Sequence, residues 1–138
     1  MEQSAELLHY ICENSKIGID TSKKLIDISN SMYFKNILED KLCDYADILK
    51  KASEELENFK AVDLPFNHTY KAININVPSD KSNAGLSQLL INESKNQIVN
   101  IKNKIEKYTG KDKKPVRLAN KLLSLEKNNI EDFHHFIK

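Results

Sequence analysis

The chain has 138 residues, 40% hydrophobic and 30% charged, with 21 Lys and Arg against 20 Asp and Glu, which suits one domain with a sizeable core. Three Gly and three Pro exclude collagen-like, loop-rich β and Pro/Gly-rich disordered chains, and two Cys cannot build a disulfide framework. A formal charge of +1 gives no global pull toward nucleic acid or acidic lipid, so neither is expected as a partner. No apolar run reaches the roughly 18–20 residues of a membrane span, and no basic-then-apolar leader pattern opens the chain. The expectation is a cytoplasmic, non-membrane, mostly helical domain spanning 1–138.

The first stripe at helical spacing runs Leu8, Ile11, Cys12, Ser15, Ile19, Ser22, Leu25 and Ile26, which predicts a helix over about 4–29. Gly18 lies inside it, at a cost of about 1 kcal/mol against Ala; it either allows close helix approach, makes room for a large opposing side chain, or is simply tolerated. Ser29-Asn30-Ser31 breaks the pattern: Asn30 suits a left-handed helix end and Ser31 an N-cap. Phe34, Ile37, Leu38, Leu42, Tyr45, Ile48, Leu49, Ala52, Leu56 and Phe59 mark a second helix over about 32–59. The tight turn makes these two an antiparallel hairpin.

The connection at 61–83 holds Pro65 and Pro78. Ile73, Ile75 and Val77 alternate as a strand does, while Phe66, Tyr70, Ile73 and Val77 match helical spacing; both readings stand. His68 reads as a loop histidine. The segment is too long for a tight turn, and it can run the length of a helix.

Leu86, Leu89, Leu90, Glu93, Gln97, Ile98, Ile101, Ile105 and Tyr108 predict a third helix over about 84–109, capped by Ser82 or Asn83 and ended at Gly110. Leu118, Ala119, Leu122, Leu125, Glu126, Asn129, Ile130, Phe133, Phe136 and Ile137 predict a fourth over about 113–137, with Asp112 as cap and Pro115 in the first turn. The expected fold is all-α: an antiparallel up-down-up-down four-helix bundle with a long connection between helices 2 and 3. Residues 1–60 hold eight basic and twelve acidic groups and residues 84–138 eleven and six, so one hairpin is acidic and the other basic. That asymmetry favours docking of the hairpins, or of two chains as a homodimer, although exposed pairs are individually weak.

Two long hairpins joined by an extended connection resemble the ferritin-like four-helix-bundle superfamily. Ile17-Gly18-Ile19-Asp20 is similar to the first helix, and Leu122-Leu123-Ser124-Leu125-Glu126-Lys127-Asn128-Asn129-Ile130-Glu131 to the last helix, of small ferritin-like proteins from low-GC Gram-positive bacteria. The resemblance implies a bacterial protein and raises the question of two iron ions at mid-bundle. Such a site takes one Glu from each of two helices and a Glu-x-x-His from each of the others.

Here the inward mid-helix residues are Ser15, Tyr45, Glu93, Gln97, Glu126 and Asn129. Ser stands where a Glu is needed, Tyr45 has no Glu-x-x-His, and helix 4 reads Glu126-x-x-Asn129. The literal Glu131-x-x-His134 falls in the last two turns. Catalytic residues are not expected, and the six are read as a hydrogen-bonded polar layer that fixes helix register. The favoured function is a non-enzymatic bundle acting by protein interaction or self-association, with no cofactor. The alternative is an iron- or manganese-binding protein with a reduced ligand set around Glu93 and Glu126, handling iron, oxygen or peroxide. Cys12 and Cys43 sit about five residues out of register, so buried free thiols are expected.

Overall fold

A computed structural model describes residues 2–59 and 77–137. Four helices make up nearly all of it: α1 (Glu2–Ile28), α2 (Met32–Glu57), α3 (Asn83–Lys107) and α4 (Lys114–His134). Each end lies within a few residues of its predicted position. Phe66, His68, Tyr70, Ile73 and Ile75 lie outside the described residues.

The caps explain most boundaries. Ser31 adopts extended backbone and its Oγ accepts from Phe34 N at 3.2 Å, which satisfies one of the free N–H groups that open α2. Ser82 does the same for α3 through Gly85 N at 3.2 Å. Pro115 opens α4, but its N-cap is Lys113, which makes no side-chain cap bond, and not Asp112 as expected; Asp112 stands one residue earlier and its Oδ1 accepts from Lys114 N at 3.0 Å.

Two predicted terminators work differently. No described residue has a positive φ, so neither Asn30 nor Gly110 is a left-handed helix end. The turn after α1 is held by Ser29, whose Oγ accepts from Ser31 N. After α3, Tyr108 turns extended, donates its hydroxyl proton to Asp112 O at 2.7 Å and so accepts from Ser4 Oγ at 2.8 Å. Gly110 is needed for space: a Cβ there would lie 2.5 Å from the Tyr108 ring.

The direction of the second hairpin corrects the expected up-down-up-down order. The start of α1 meets the end of α3, through Ser4–Tyr108 and through Thr109 N donating to Gln3 Oε1 at 2.9 Å. The end of α2 meets the start of α4 at Lys114–Glu55. One core cluster joins Leu8, Ile48, Ile101 and Leu122, and the other joins Leu25, Phe34, Leu86 and Phe133. Hence α1 and α4 run one way and α2 and α3 the other, an up-down-down-up order. Short turns fix each hairpin internally. The long connection between Phe59 and Val77 leaves the second free to start at the opposite end of the bundle from that at which α2 finishes, since about 3.3–3.6 Å per extended residue spans a helix of about 37 Å easily.

The α2 core positions Phe34, Leu38, Lys41, Tyr45, Ile48 and Ala52 alternate steps of four and three, the spacing of a helix that packs along a bundle axis. Two of the six are polar-headed, and both face α4. Lys41 Nζ donates to Asp132 Oδ2 and lies 6.0 Å above the Phe133 ring. This pair runs against the charge bias of the hairpins, the basic group coming from the acidic one. Cys12 is buried beside Ser53, whereas Cys43 is exposed and not buried as expected. Among the described residues no helix is long and apolar enough to cross a membrane.

Candidate functional site

The second polar core position of α2 is Tyr45, and around it lies a mid-bundle layer. Tyr45 Oη donates to Glu126 Oε2 at 2.7 Å, and Ser94 Oγ donates to Glu126 Oε1 at 2.7 Å. Asn129 Nδ2 donates to Tyr45 Oη at 3.0 Å, with longer approaches to Glu126 Oε1 at 3.4 Å and Ser94 Oγ at 3.5 Å. The chain of protons has one direction. Asn129 supplies a donor to the phenol oxygen, so the phenol proton points at the carboxylate. Glu126 and Asn129 are one helical turn apart on α4 and therefore share a face.

Glu126 is 3% exposed, a costly place for a charge without donors. Burial pushes its carboxyl above the ordinary range; hydrogen bonds from Tyr45, Ser94 and Asn129 pull it back, and the nearby Glu93 charge adds to the rise. Burial also holds the Tyr45 phenol well above its usual value, with the Glu126 charge next in weight. The phenol stays protonated and remains a donor at neutral pH.

Gly18 places α1 against this layer. A Cβ at residue 18 would lie 2.5 Å from Cδ1, Cε1 and Cζ of Tyr45, so the glycine makes room for the ring. Beside the layer is a cavity of about 30 Å³, walled by residues of all four helices, among them Asn14, Gly18, Thr21, Glu93, Gln97, Glu126 and Asn129. Asn129 Oδ1, in a residue of that wall, has no hydrogen-bond partner, and the Asn14 amide is paired with the Tyr10 hydroxyl.

Of the six residues expected in the layer, Tyr45, Glu126 and Asn129 are joined by hydrogen bonds. Glu93 and Gln97 are half-buried at the cavity. Ser15 is fully buried, but its hydroxyl has no partner and does not reach the layer. The residue that completes the layer is Ser94, next to Glu93. The buried side of α3 is Leu86, Ser87, Leu90, Ile91, Ser94 and Ile101, about one residue round from the predicted stripe. The signal in the sequence was the pair of small hydroxyls Ser87 and Ser94, seven residues apart and in line with Leu90 and Ile101.

The described histidines sit apart from the layer. His9 Nε2 lies 3.0 Å from Glu13 Oε1. Glu131, His134 and His135 are exposed at the end of α4. Among the described residues no three His, Cys, Asp or Glu come together as a metal-ligating group. For iron or manganese, Glu93 and Glu126 are the carboxylates at hand, and both oxygens of Glu126 already accept hydrogen bonds from hydroxyl donors. Hydroxyl protons directed at both oxygens suit a carboxylate held in place by its own bundle better than a bridging ligand for two cations.

No protein-family model, no curated protein and no solved structure matches the chain.

Proposed function

We propose that the chain is a non-enzymatic helical bundle that acts through its surface, binding a second copy of itself. The observation that carries this reading is at the α1–α2 turn, where Met32 is 72% and Tyr33 69% exposed. Large side chains left in water at the end of a bundle mark a contact surface when they are clustered and not scattered. Met32 and Tyr33 are adjacent at the start of α2, and Tyr33 borders a groove of about 520 Å³ lined also by Ile37, Asp40, Lys41, Asp132, His135 and Phe136. The Tyr33 ring stands 6.1 Å from the Phe136 ring, and Phe136 packs edge-on against Phe34 at 5.1 Å, so the exposed tip is continuous with the core.

A second copy suits this tip because a two-fold contact sets the same patch against itself. The acidic first hairpin of each chain can then meet the basic second hairpin of the other. The Glu126 layer, on this reading, serves register: it allows α2, α3 and α4 to meet at one height only. Parallel α2 and α3 with a single long connection support a ferritin-like ancestry, because ferritin-like bundles carry one such crossover. Sedimentation of the intact chain tests the reading. A dimer that Met32→Ser with Tyr33→Ser converts to monomer is expected, and a wild-type chain that stays monomeric at all concentrations overturns it.

A second reading has its own observation. Glu93 is close enough to raise the Glu126 carboxyl, and Asn129 Oδ1 is a free acceptor beside the same cavity. Two carboxylates and an amide oxygen are hard donors of the kind that bind iron(II) or manganese(II). Stoichiometric uptake of either ion by metal-free protein, lost in Glu126→Gln, would favour a metal-handling role over an interaction bundle.

A further inference from the structure

We propose that the groove between α2 and α4 binds a phosphate group at Arg117 and Lys121. The groove is about 460 Å³, and its walls include Asp44 and Asp47 of α2 and Arg117, Lys121, Ser124 and Asn128 of α4. Charges along this seam match at one point and fail at the next. Lys114 Nζ stands 3.7 Å from Glu55 Oε1. Two turns further along α4, Lys121 meets the ammonium of Lys51 instead of a carboxylate. Lys51 has its own partner one turn back on α2, donating to Asp47 Oδ2 at 3.0 Å. Asp47 is thereby committed, and the Lys51 charge holds Lys121 below its usual value. Among the described residues neither Lys121 nor Arg117 has an ion pair with a carboxylate. Two ammonium groups side by side repel, and an anion beside them relieves the repulsion.

The chemistry selects the anion. Arg117 and Lys121 are four residues apart on α4, so they share a face. A guanidinium offers a planar fork of donors and an ammonium a compact point charge, a pairing that suits the several oxygens of a phosphate. Ser124 and Asn128 add neutral donors to the same wall. Arg117, Lys121 and Lys51 outweigh Asp44 and Asp47, so the groove is net positive. A carboxylate ligand would bring one negative charge, whereas a phosphate near neutral pH brings about 1.5–2. The same group reaches a protein free, on a phosphorylated small molecule or on the headgroup of an anionic lipid.

Amide NMR of the intact chain, titrated with inorganic phosphate near neutral pH at constant ionic strength, tests this. Saturable shifts confined to the amides around Asp47 to Lys51 and Arg117 to Lys121 are expected. Arg117→Gln with Lys121→Gln should weaken the binding by about tenfold or more. Lys23→Gln with Lys24→Gln, the same charge change on exposed residues of α1, should leave it unchanged. Asp47→Asn frees Lys51 and should tighten it, which keeps the test decisive if the α4 variant does not fold. Shifts that never saturate, or that acetate reproduces in full, would overturn the proposal, as would equal weakening in the α1 and α4 variants. Co-sedimentation with phosphatidylcholine vesicles carrying phosphatidic acid then separates the sources. Retention that the α4 variant loses assigns the group to a lipid headgroup, and a phosphate-binding chain left in the supernatant assigns it to a soluble phosphate. The groove belongs to a single chain, so the result stands apart from the self-association reading.

Discussion

The ring of Tyr45 occupies the space that a side chain on residue 18 would take: a Cβ there would stand 2.5 Å from three ring carbons. This contact joins the two helices of the first hairpin at the height where α4 supplies Glu126 and Asn129. It also gives Gly18 a physical cause in the middle of a helix, where glycine is otherwise unfavourable.

Gly18→Ala is the first test. Helix propensity alone predicts a gain of about 1 kcal/mol. The clash is with ring atoms and not with the free end of a flexible chain, so overpacking outweighs that gain. A net loss of about 1–2 kcal/mol is expected in chemical denaturation. Tyr45→Leu in the same chain should relieve the clash, so the two changes together cost less than their sum.

Tyr45→Phe keeps the ring and removes the proton donor of Glu126 Oε2, together with the shortest acceptor of Asn129 Nδ2. The buried carboxylate is left short of a donor, and a loss of about 1–3 kcal/mol follows. Ser94→Ala should cost less, because Asn129 Nδ2 already lies 3.4 Å from the same Glu126 oxygen. Equal losses in the two variants, measured by urea denaturation, would contradict this ordering.

The Glu126 carboxyl is raised in the folded chain, by burial first. Its folded state therefore holds the proton more tightly than the unfolded state does. This favours folding below the ordinary carboxyl value near 4.5, and the benefit is lost as pH rises through the higher folded value. Glu126→Gln removes that component. The stability difference between wild type and Glu126→Gln should shift against the wild type as pH rises through that window and level off above it. Thermal melts at a series of pH values read the trend directly, and a difference independent of pH contradicts it.

Ser31→Ala removes the side-chain oxygen that accepts from Phe34 N. A loss of about 1 kcal/mol is expected, as for other N-caps, and Ser31→Asp should recover most of it. Ser82→Ala probes the start of α3 in the same way.

The sequence made the helices legible because apolar spacing and caps agree: Ser31, Ser82 and Pro115 stand at three of the four helix starts. Tyr45, Glu126 and Asn129 were legible as polar residues on otherwise apolar stripes. Ser94 was not, because serine reads as neutral in hydropathy, and α3 carries Glu93 and Gln97 close enough to the stripe to shift its apparent phase by one residue. Lys41 escaped notice for a related reason. Leu42, next to it, fills the predicted step between Leu38 and Tyr45, whereas the structure buries Lys41 and leaves Leu42 half-buried, and the burial of Lys41 depends on Asp132, 91 residues along the chain. The sense of the second hairpin was hidden in the connection, since helical periodicity is the same whichever way a helix points.

The most direct measurement takes mass and metal content on one sample of natively purified protein. A dimer of the 15.9 kDa chain, without stoichiometric iron or manganese, is the result the account predicts. A monomer that retains one or two such ions per chain would contradict it, and would make Glu93 and Glu126 ligands instead of parts of a register-fixing layer.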